Sequence, residues 1–356
     1  MTQTFIEILR RALDEELAQD PAVHLLGEDV AEGGAFGVTN GLARKYGAQR
    51  VRNTPISEAA ITGIATGAAL CGLRPVLEIM FIDFATLALD CLVNQSAKYR
   101  YMSGGQLAVP MVVRTQAGAA GGAAAQHSQS LEAWFIHIPG LVVVAPSSPV
   151  EAYGLLKSAV RLGDPVLFIE HKRLYALKEA LVEGGELPQI GQARVARVGS
   201  DVTLIAYSAM VRNALEAADE LARSGLSVEV IDLRTLLPLD MATIAASVSK
   251  THRVVIAHEA VQNGGVGAEI SARIGSELFD ELDAPVTRVA CPFAPIPFAP
   301  ELERALLPGT PNIVHAVRAV IGCGENQRGV GGTGNSQSRP GDGERARGAL
   351  AQKRRR

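Results

Sequence analysis

The chain has 356 residues, of which 20% are charged, and its net charge is −3. This length predicts two domains, and the weak charge argues against a surface made for nucleic acid. Four cysteines without metal-ligand spacing predict reduced thiols in a cytoplasmic protein. No run of about 20 apolar residues occurs, so we expect no membrane span.

Strand and helix patterns alternate along most of the chain. An amphipathic N-terminal helix ends at Asp20-Pro21. The predicted strands are 23–27, 75–80, 109–114, 141–145, 166–170, 201–206, 227–231, 253–257 and 286–289. The main helices between them are 42–46, 58–71, 85–101, 149–162, 209–223, 240–248 and 265–278. This alternation predicts an α/β protein with two doubly wound domains.

Composition divides the chain into four segments. We predict a first domain over 1–175, a linker over 176–199, a smaller domain over 200–321 and a disordered tail over 322–356. The tail is rich in Gly, Ser and Arg and has no aliphatic periodicity, so it cannot bury enough surface to fold. Its Gly329-x-Gly331-x-x-Gly334 matches a dinucleotide fingerprint only literally, because no strand precedes it and no helix follows.

One carboxylate stands at the start of a helix that carries no other charge. Thr54-Pro55 makes a rigid extended approach, and the Ser57 hydroxyl is an N-cap candidate. Glu58 follows, and residues 59–73 are uncharged. A lone buried acid is costly unless something pairs with it. Two interpretations stay open: a glutamate that interacts with its helix dipole, or a carboxylate kept for a ligand.

Two further segments place polar side chains where α/β proteins bind ligands. Glu28 and Asp29 follow a strand, and ligands bind beyond the carboxyl ends of parallel strands. Residues 116–130 form a long irregular segment, which is typical of a functional loop. His127 lies at its polar end, although a loop histidine taken alone is more often merely solvated.

Several motifs occur in the order seen in one enzyme family. They are Leu26–Val30, Asn53–Glu58, Gly72–Pro75, Lys98–Gly105, Ala125–Ser130, Ile231–Leu236 and His258–Ala260. From about residue 4 to about residue 320, the chain resembles the beta subunits of the thiamine-diphosphate-dependent 2-oxoacid dehydrogenases. The resemblance implies a transketolase-like pyrimidine-binding domain followed by a transketolase C-terminal domain.

The resemblance also implies roles for the residues of the first domain. Glu58 matches the glutamate that binds N1′ of the cofactor's aminopyrimidine, where a carboxyl favours the imino tautomer and thereby loss of the thiazolium C2 proton. Partial burial raises the pKa of a carboxyl, which helps it to share that proton. Glu28 is expected to support Glu58. Ile56, Met80 and Phe84 are expected to pack around the pyrimidine, whereas without the motifs they would be ordinary core residues.

The resemblance assigns His127 to the family's active-site histidine. It is expected to hydrogen-bond the substrate-derived intermediate or to assist acyl transfer to lipoyl, because histidine titrates near neutrality. His137 and His171 are predicted to be merely solvated. Some family members also hold a structural potassium ion. The matching groups here are the carbonyls of Met111, Ala159, Val160 and Leu162, with the Asp164 side chain.

The folded part of the sequence lacks the Gly-Asp-Gly…Asn motif that holds the cofactor's divalent metal in this superfamily. Gly341-Asp342-Gly343 lies in the tail, and no asparagine follows it. The resemblance therefore implies that an alpha subunit supplies the ligands for magnesium and diphosphate. The implied assembly is an alpha2beta2 heterotetramer with an active site between the two kinds of chain, and its acyl groups pass to a lipoyl-bearing acyltransferase.

Three functions compete at this stage. Segments such as Ile82–Phe84, Asn94–Lys98 and Ile169–Lys172 look most like pyruvate- or acetoin-type family members, with a branched-chain 2-oxoacid as the third substrate. The second function is half of a split transketolase or deoxyxylulose-phosphate-synthase-like enzyme, which would transfer a two-carbon unit without lipoyl. The third is a non-catalytic structural subunit, and the presence of both Glu58 and His127 argues against it.

Overall fold

The computed structural model describes residues 2–181, 184 and 186–328. Its strands are β1 Thr2–Thr4, β2 Val23–Gly27, β3 Val51–Asn53, β4 Arg74–Ile79, β5 Val112–Ala117, β6 Val142–Val144, β7 Val166–His171, β8 Lys178–Ala180, β9 Arg194–Arg197, β10 Val202–Ala206, β11 Val228–Asp232, β12 Thr235–Leu237, β13 Val254–Val261 and β14 Thr287–Cys291. Its helices are α1 Phe5–Gln19, α2 Leu42–Tyr46, α3 Glu58–Leu70, α4 Tyr99–Met102, α5 Glu132–Ile136, α6 Pro149–Arg161, α7 Met210–Ala222, α8 Met241–Thr251, α9 Val266–Glu277, α10 Pro300–Leu306 and α11 Thr310–Arg328.

Two parallel sheets confirm the predicted α/β class. The larger sheet has the strand order β12-β6-β7-β5-β4-β2-β3, and the smaller has β14-β13-β10-β11-β9. One edge strand in each sheet, β12 and β9 respectively, pairs antiparallel to its neighbour. A separate antiparallel pair, β1 and β8, joins the start of the chain to residues 178–180. The carboxyl ends of β2, β4 and β5 therefore meet at one edge of the larger sheet, where ligands bind in such folds.

The first helix shows how sequence spacing becomes packing. The Thr4 hydroxyl accepts the Glu7 N–H, and the Glu7 carboxylate accepts the Thr4 N–H, which forms a capping box. The apolar face predicted from the sequence is buried, namely Phe5, Ile8, Leu9, Ala12, Leu13 and Leu17. This face packs with α6 into a core on one side of the larger sheet.

The segment predicted as a helix over 85–101 is helical, but it is not one regular α-helix. The structure instead has a 3-10 turn over Phe84–Ala88, a π-helical turn over Cys91–Ser96 and the short α4. The Ser96 hydroxyl donates to the carbonyl of Cys91, five residues earlier, which supports the wider turn. Leu87 is exposed while Leu92 is buried, so the apolar residues do not share one helical face.

Three other predictions about local structure need correction. The strand predicted over 109–114 begins only at Val112, because Pro110 has no N–H to give to the sheet. Ser57 does occupy the N-cap of α3, but its side chain makes no capping hydrogen bond. The uncharged run after Glu58 is buried on one face only, since Ala59, Ala60 and Ile64 are exposed.

The segment predicted as a linker contains two strands. β8 closes the pair with β1, and β9 is the antiparallel edge of the second sheet. The domains are also joined at β12, which belongs in sequence to the second domain but pairs with β6 of the first sheet. The predicted domain limits stay a prediction, since nothing observed tests them directly.

The predicted tail over 322–356 falls mostly outside the described residues. Helix α11 continues to Arg328. Residues 329–356, with both of their glycine motifs, lie outside that range. In the described part of the chain, no helix is long and apolar enough to cross a membrane. Cys71, Cys91 and Cys291 are free thiols, as predicted, and the side chain of Cys323 lies outside those that the structure describes.

Candidate active site

Two carboxyl groups meet at the carboxyl end of β2. The Thr54 N–H donates to the Gly27 carbonyl at 3.0 Å, which brings the approach to α3 beside the end of that strand. Glu58 is 8% exposed, and within residues 2–181, 184 and 186–328 its carboxyl accepts no hydrogen bond. Burial, then the charges of Glu58 and Asp29, raise the pKa of Glu28. The raised pKa favours the protonated form of the Glu28 carboxyl.

The three residues predicted to pack around the pyrimidine have different environments. Ile56 is 81% exposed just before α3, so it is not an ordinary core residue. Met80 follows β4 and is partly buried. Phe84 packs against the core and also contacts His127. The structure therefore joins Phe84 to the histidine loop and leaves Ile56 open to a ligand or a second chain.

His127 lies in an aromatic cluster. Its ring is 4.8 Å from the Phe81 ring and 5.4 Å from the Phe84 ring, and both contacts are edge-on. The Lys172 ammonium donates to the His127 carbonyl and lies 5.0 Å from the centre of the Phe81 ring. Burial lowers the pKa of Lys172. These contacts fix both the ring and the backbone of the histidine.

A fully buried ion network lies along the neighbouring strands. The Arg114 guanidinium on β5 donates to Glu170 on β7 at 2.7 and 2.9 Å, and to Glu78 on β4 at 2.7 Å. The Tyr175 hydroxyl also donates to Glu170. Burial alone would lower the pKa of Arg114, but the two carboxylates raise it above its usual value. Arg114 therefore stays charged and holds three strands in register.

The prediction that His171 is merely solvated is wrong, whereas His137 is exposed as predicted. His171 is buried, and its Nε2 lies 3.1 Å from Glu259 of the second domain. Gly118, at φ +80, has no space for a side chain because any Cβ would overlap the His171 ring. Burial would raise the pKa of Glu259, but His171, Arg173 and the Ala119 N–H lower it to about 2.

Comparison with known proteins gives matches over both domains. Residues 2–178 match the family model "Transketolase, pyrimidine binding domain", and residues 191–313 match "Transketolase, C-terminal domain". A rice protein, pyruvate dehydrogenase E1 component subunit beta-2, is 50% identical over 88% of this chain and 85% of its own length. The chain belongs to the beta-subunit family of the thiamine-diphosphate-dependent 2-oxoacid dehydrogenases.

Relatives in this beta-subunit family differ in the reaction that their names give. The beta subunit of acetoin:2,6-dichlorophenolindophenol oxidoreductase from Cupriavidus necator is 44% identical over 89% of this chain and 97% of its own length. A pyruvate dehydrogenase E1 beta subunit from Drosophila melanogaster is 48% identical over 90% and 89%. A solved structure, "Split gene transketolase, inactive beta4 tetramer", superposes with a TM-score of 0.73 at 23% identity over 90% and 98% of the two chains, which shows the shared fold.

The carbonyls proposed for potassium are partly engaged by an arginine. One guanidinium nitrogen of Arg74 donates to the Val160 carbonyl at 2.9 Å and to the Leu162 carbonyl at 3.1 Å. The other two carbonyls accept backbone N–H groups, Met111 from Val166 and Ala159 from Leu162.

The side chain proposed for the same ion is paired as well. Arg100 donates to the Asp164 carboxylate at 2.5 Å and to the Gly163 carbonyl at 2.9 Å. Guanidinium groups thus donate to the oxygens of Val160, Leu162 and Asp164, and the potassium site stays a prediction. In the described part of the chain, no group of three His, Cys, Asp or Glu side chains could hold a metal ion.

Sequence reasoning missed the partners that fix the histidine loop. Lys172 was predicted only as part of a family-like segment, and Phe81 was assigned no role. The carboxylates of Glu259 and Glu303, which accept the loop N–H groups of Ala119 and Gly121, lie 140 and 182 residues further along the chain. No spacing rule links residues so far apart, so only the folded chain reveals these contacts.

Proposed function

We propose that this chain is the beta subunit of the decarboxylating component of a pyruvate-type or acetoin dehydrogenase complex. Together with an alpha subunit, it carries out thiamine-diphosphate-dependent oxidative cleavage of the substrate and acyl transfer to lipoyl. The observation that carries the proposal is the buried Glu28–Glu58 pair, which has no basic partner among the described residues and lies at the sheet edge that also holds His127. The relatives named for pyruvate and acetoin support the substrate class.

The first domain fits the pyrimidine half of the cofactor. The Glu58 carboxyl is buried and accepts no hydrogen bond within the described residues, so it is available to a ring N–H. Glu28 is positioned to keep a proton in this pair, because its pKa is raised by burial and by the adjacent carboxylates. Ile56, Met80 and Phe84 would exclude water from the ring. When bound, the cofactor supplies a carbon nucleophile that adds to the 2-oxo carbon.

His127 would act on the substrate side of the site. Its ring is held edge-on by Phe81 and Phe84, which limits its rotation. A histidine oriented in this way can hold a proton at one ring nitrogen and donate it to a substrate oxygen, or accept a proton during acyl transfer. Lys172 contributes by fixing the His127 backbone rather than by a reaction of its own.

The proposal needs a second chain for the metal and diphosphate. In the described part of this chain, no carboxylate cluster suits magnesium, so we assign those ligands to the alpha subunit of an alpha2beta2 heterotetramer. The exposed face of α3, with Ala59, Ala60 and Ile64, is uncharged, which is typical of a surface that another protein covers. A bound potassium ion remains a separate prediction; Arg74 and Arg100 donate to three of the oxygens considered for it.

Reconstitution tests the proposal and its competitors together. The chain is assayed alone and with an alpha subunit, in each case with magnesium, thiamine diphosphate and a lipoyl-bearing acyltransferase. Pyruvate, acetoin and branched 2-oxoacids are compared side by side. We expect activity only with both chains, and highest with pyruvate or acetoin. Full activity from this chain alone would refute the proposal, and so would two-carbon transfer between sugars without lipoyl.

A further inference from the structure

Two glutamates of the second domain hold the loop that carries His127. This loop spans residues 118–131, between β5 and α5. Near its start, the Ala119 N–H donates to Glu259 at 2.7 Å. Further along, the Gly121 and Gly122 N–H groups donate to the two carboxylate oxygens of Glu303 at 2.8 and 2.9 Å. The second domain therefore accepts three backbone N–H groups of the loop, those of Ala119, Gly121 and Gly122.

Glu303 is better suited to this contact than an ordinary surface acid. It lies on α10, is 5% exposed, and has no ion pair within 4 Å in the described part of the chain. A buried carboxylate without a salt bridge depends on N–H donors for its stability. Gly121 and Gly122 supply these donors at φ +78 and +88, where larger residues are strained. Glu303 and the loop therefore stabilise each other.

The same carboxylate is linked to the backbone of the histidine. The Lys172 ammonium, which binds the His127 carbonyl, is attracted by Asp83, Glu259 and Glu303. Release of Glu303 would free the middle of the loop and weaken the field that holds Lys172. Both changes would reach His127 without any direct contact between Glu303 and its ring.

We propose that Glu303 is a positioning residue, which holds the His127 loop in its active conformation by binding two successive N–H groups from the second domain. The inference rests on the proposed role of His127. It gives the second domain a task in the reaction, because α10 fixes the place of a histidine carried by the first domain.

Amide hydrogen exchange in the full chain tests whether Glu303 holds the loop, and it needs no enzymatic reaction. In Glu303→Gln, a side-chain NH2 replaces one carboxylate oxygen and cannot accept a hydrogen bond from the loop N–H that faces it. The negative charge is lost as well. We expect the peptide over 118–131 to exchange about tenfold faster or more, as charge-assisted bonds are lost. Glu301→Gln is the matched control, because Glu301 lies on the same helix but is exposed. Unchanged exchange in Glu303→Gln overturns the proposal.

Activity in the reconstituted complex distinguishes positioning from general damage. For Glu303→Gln we expect kcat to fall about tenfold or more, with KM within about twofold and with proton exchange at the cofactor C2 unchanged. Glu303→Asp keeps the charge with a shorter reach and should lie between wild type and Glu303→Gln in both assays. If C2 exchange falls as much as kcat, the proposal is overturned.

Misfolding of Glu303→Gln or inactivity of the wild-type complex would still leave the role of Glu303 testable. If Glu303→Gln does not fold, faster hydrogen exchange of the loop in Glu303→Asp supports the proposal. Exchange at the wild-type rate in Glu303→Asp overturns the proposal. If the wild-type complex is inactive with every 2-oxoacid, the proposed function fails. The hydrogen-exchange result still decides whether Glu303 holds the loop.

Discussion

Two groups of buried carboxylates lie at neighbouring strands of the same sheet and are treated differently. Glu78 and Glu170 share the guanidinium of Arg114 at distances of 2.7 to 2.9 Å. Glu28 and Glu58 are close to each other, yet no basic side chain pairs with either within residues 2–181, 184 and 186–328. In the first group, the positive charge of Arg114 compensates the two carboxylates. In the second group, the described residues provide no such positive charge, so a bound molecule can act as the hydrogen-bond partner.

This difference separates stability from function by a physical criterion. Burial of an unpaired carboxylate lowers the stability of the fold. Such a group is therefore typical of a binding or catalytic site. A paired network such as that of Arg114 instead holds the strands in a defined arrangement, and loss of one member is costly. Substitutions in the two groups should therefore affect different measurements.

Replacement of Glu58 should give the largest effect on the reaction. For Glu58→Ala in the reconstituted complex, we expect proton exchange at the cofactor C2 to fall about 100- to 10,000-fold, the range for loss of a positioned proton-transfer group. The unfolding transition should change little, because no hydrogen bond to the carboxyl is lost. Glu216→Ala, an exposed acid of α7, is the control. Near-normal C2 exchange in Glu58→Ala would disprove its assigned role.

Removal of Arg114 should give the largest loss of stability. Arg114→Met leaves Glu78 and Glu170 buried without their partner, so we expect the free energy of unfolding to fall by about 3–5 kcal/mol. Chemical denaturation of the full chain measures this change. Arg212→Met, at an exposed arginine, serves as the control and should change little. If Arg114→Met lowered the free energy of unfolding by less than about 1 kcal/mol, the Arg114 network would not be a main source of stability.

Glu132 offers a pH-dependent test at the end of the histidine loop. Burial, with a smaller effect of Glu259, raises its pKa from 4.5 to about 7. The neutral form is therefore favoured in the fold, and this contribution is complete below pH 4.5 and is lost as the pH rises towards 7. Glu132→Gln should match wild type in melting temperature near pH 4.5 and exceed it increasingly up to about pH 7. A difference independent of pH would contradict the raised pKa.

The fold could largely be predicted because its periodicities are local. The apolar face of α1 and the alternating strands and helices lie within short windows of sequence, and both were confirmed. The failures have local causes as well. Pro110 delays β5, and the wider turn at Ser96 breaks a predicted helix. β12 was missed because three residues in a loop carry too little pattern to indicate which sheet they join.

The site could be predicted only where motifs carry it. Glu58, Glu28 and His127 were assigned roles from short motifs that resemble a known family, and their roles stay predictions. Lys172 and Glu303 could not be inferred, because their contacts with the loop join residues 45 and about 180 positions apart. The first pair forms inside the first domain and the second forms where the two domains pack, and no local periodicity encodes either contact.

An exposed ion pair with similar chemistry should show the smallest effect. Arg100 and Asp164 are 2.5 Å apart, like the Arg114 pairs, but their side chains are 48% and 39% exposed. Water screens this pair, so Arg100→Gln should lower the free energy of unfolding by at most about 1 kcal/mol. Chemical denaturation beside Arg114→Met gives the comparison directly. If Arg100→Gln lowered the free energy of unfolding as much as Arg114→Met, burial would not be what distinguishes the two pairs. The positive charge of Arg100 beside Asp164 would then be required for the stability of the fold.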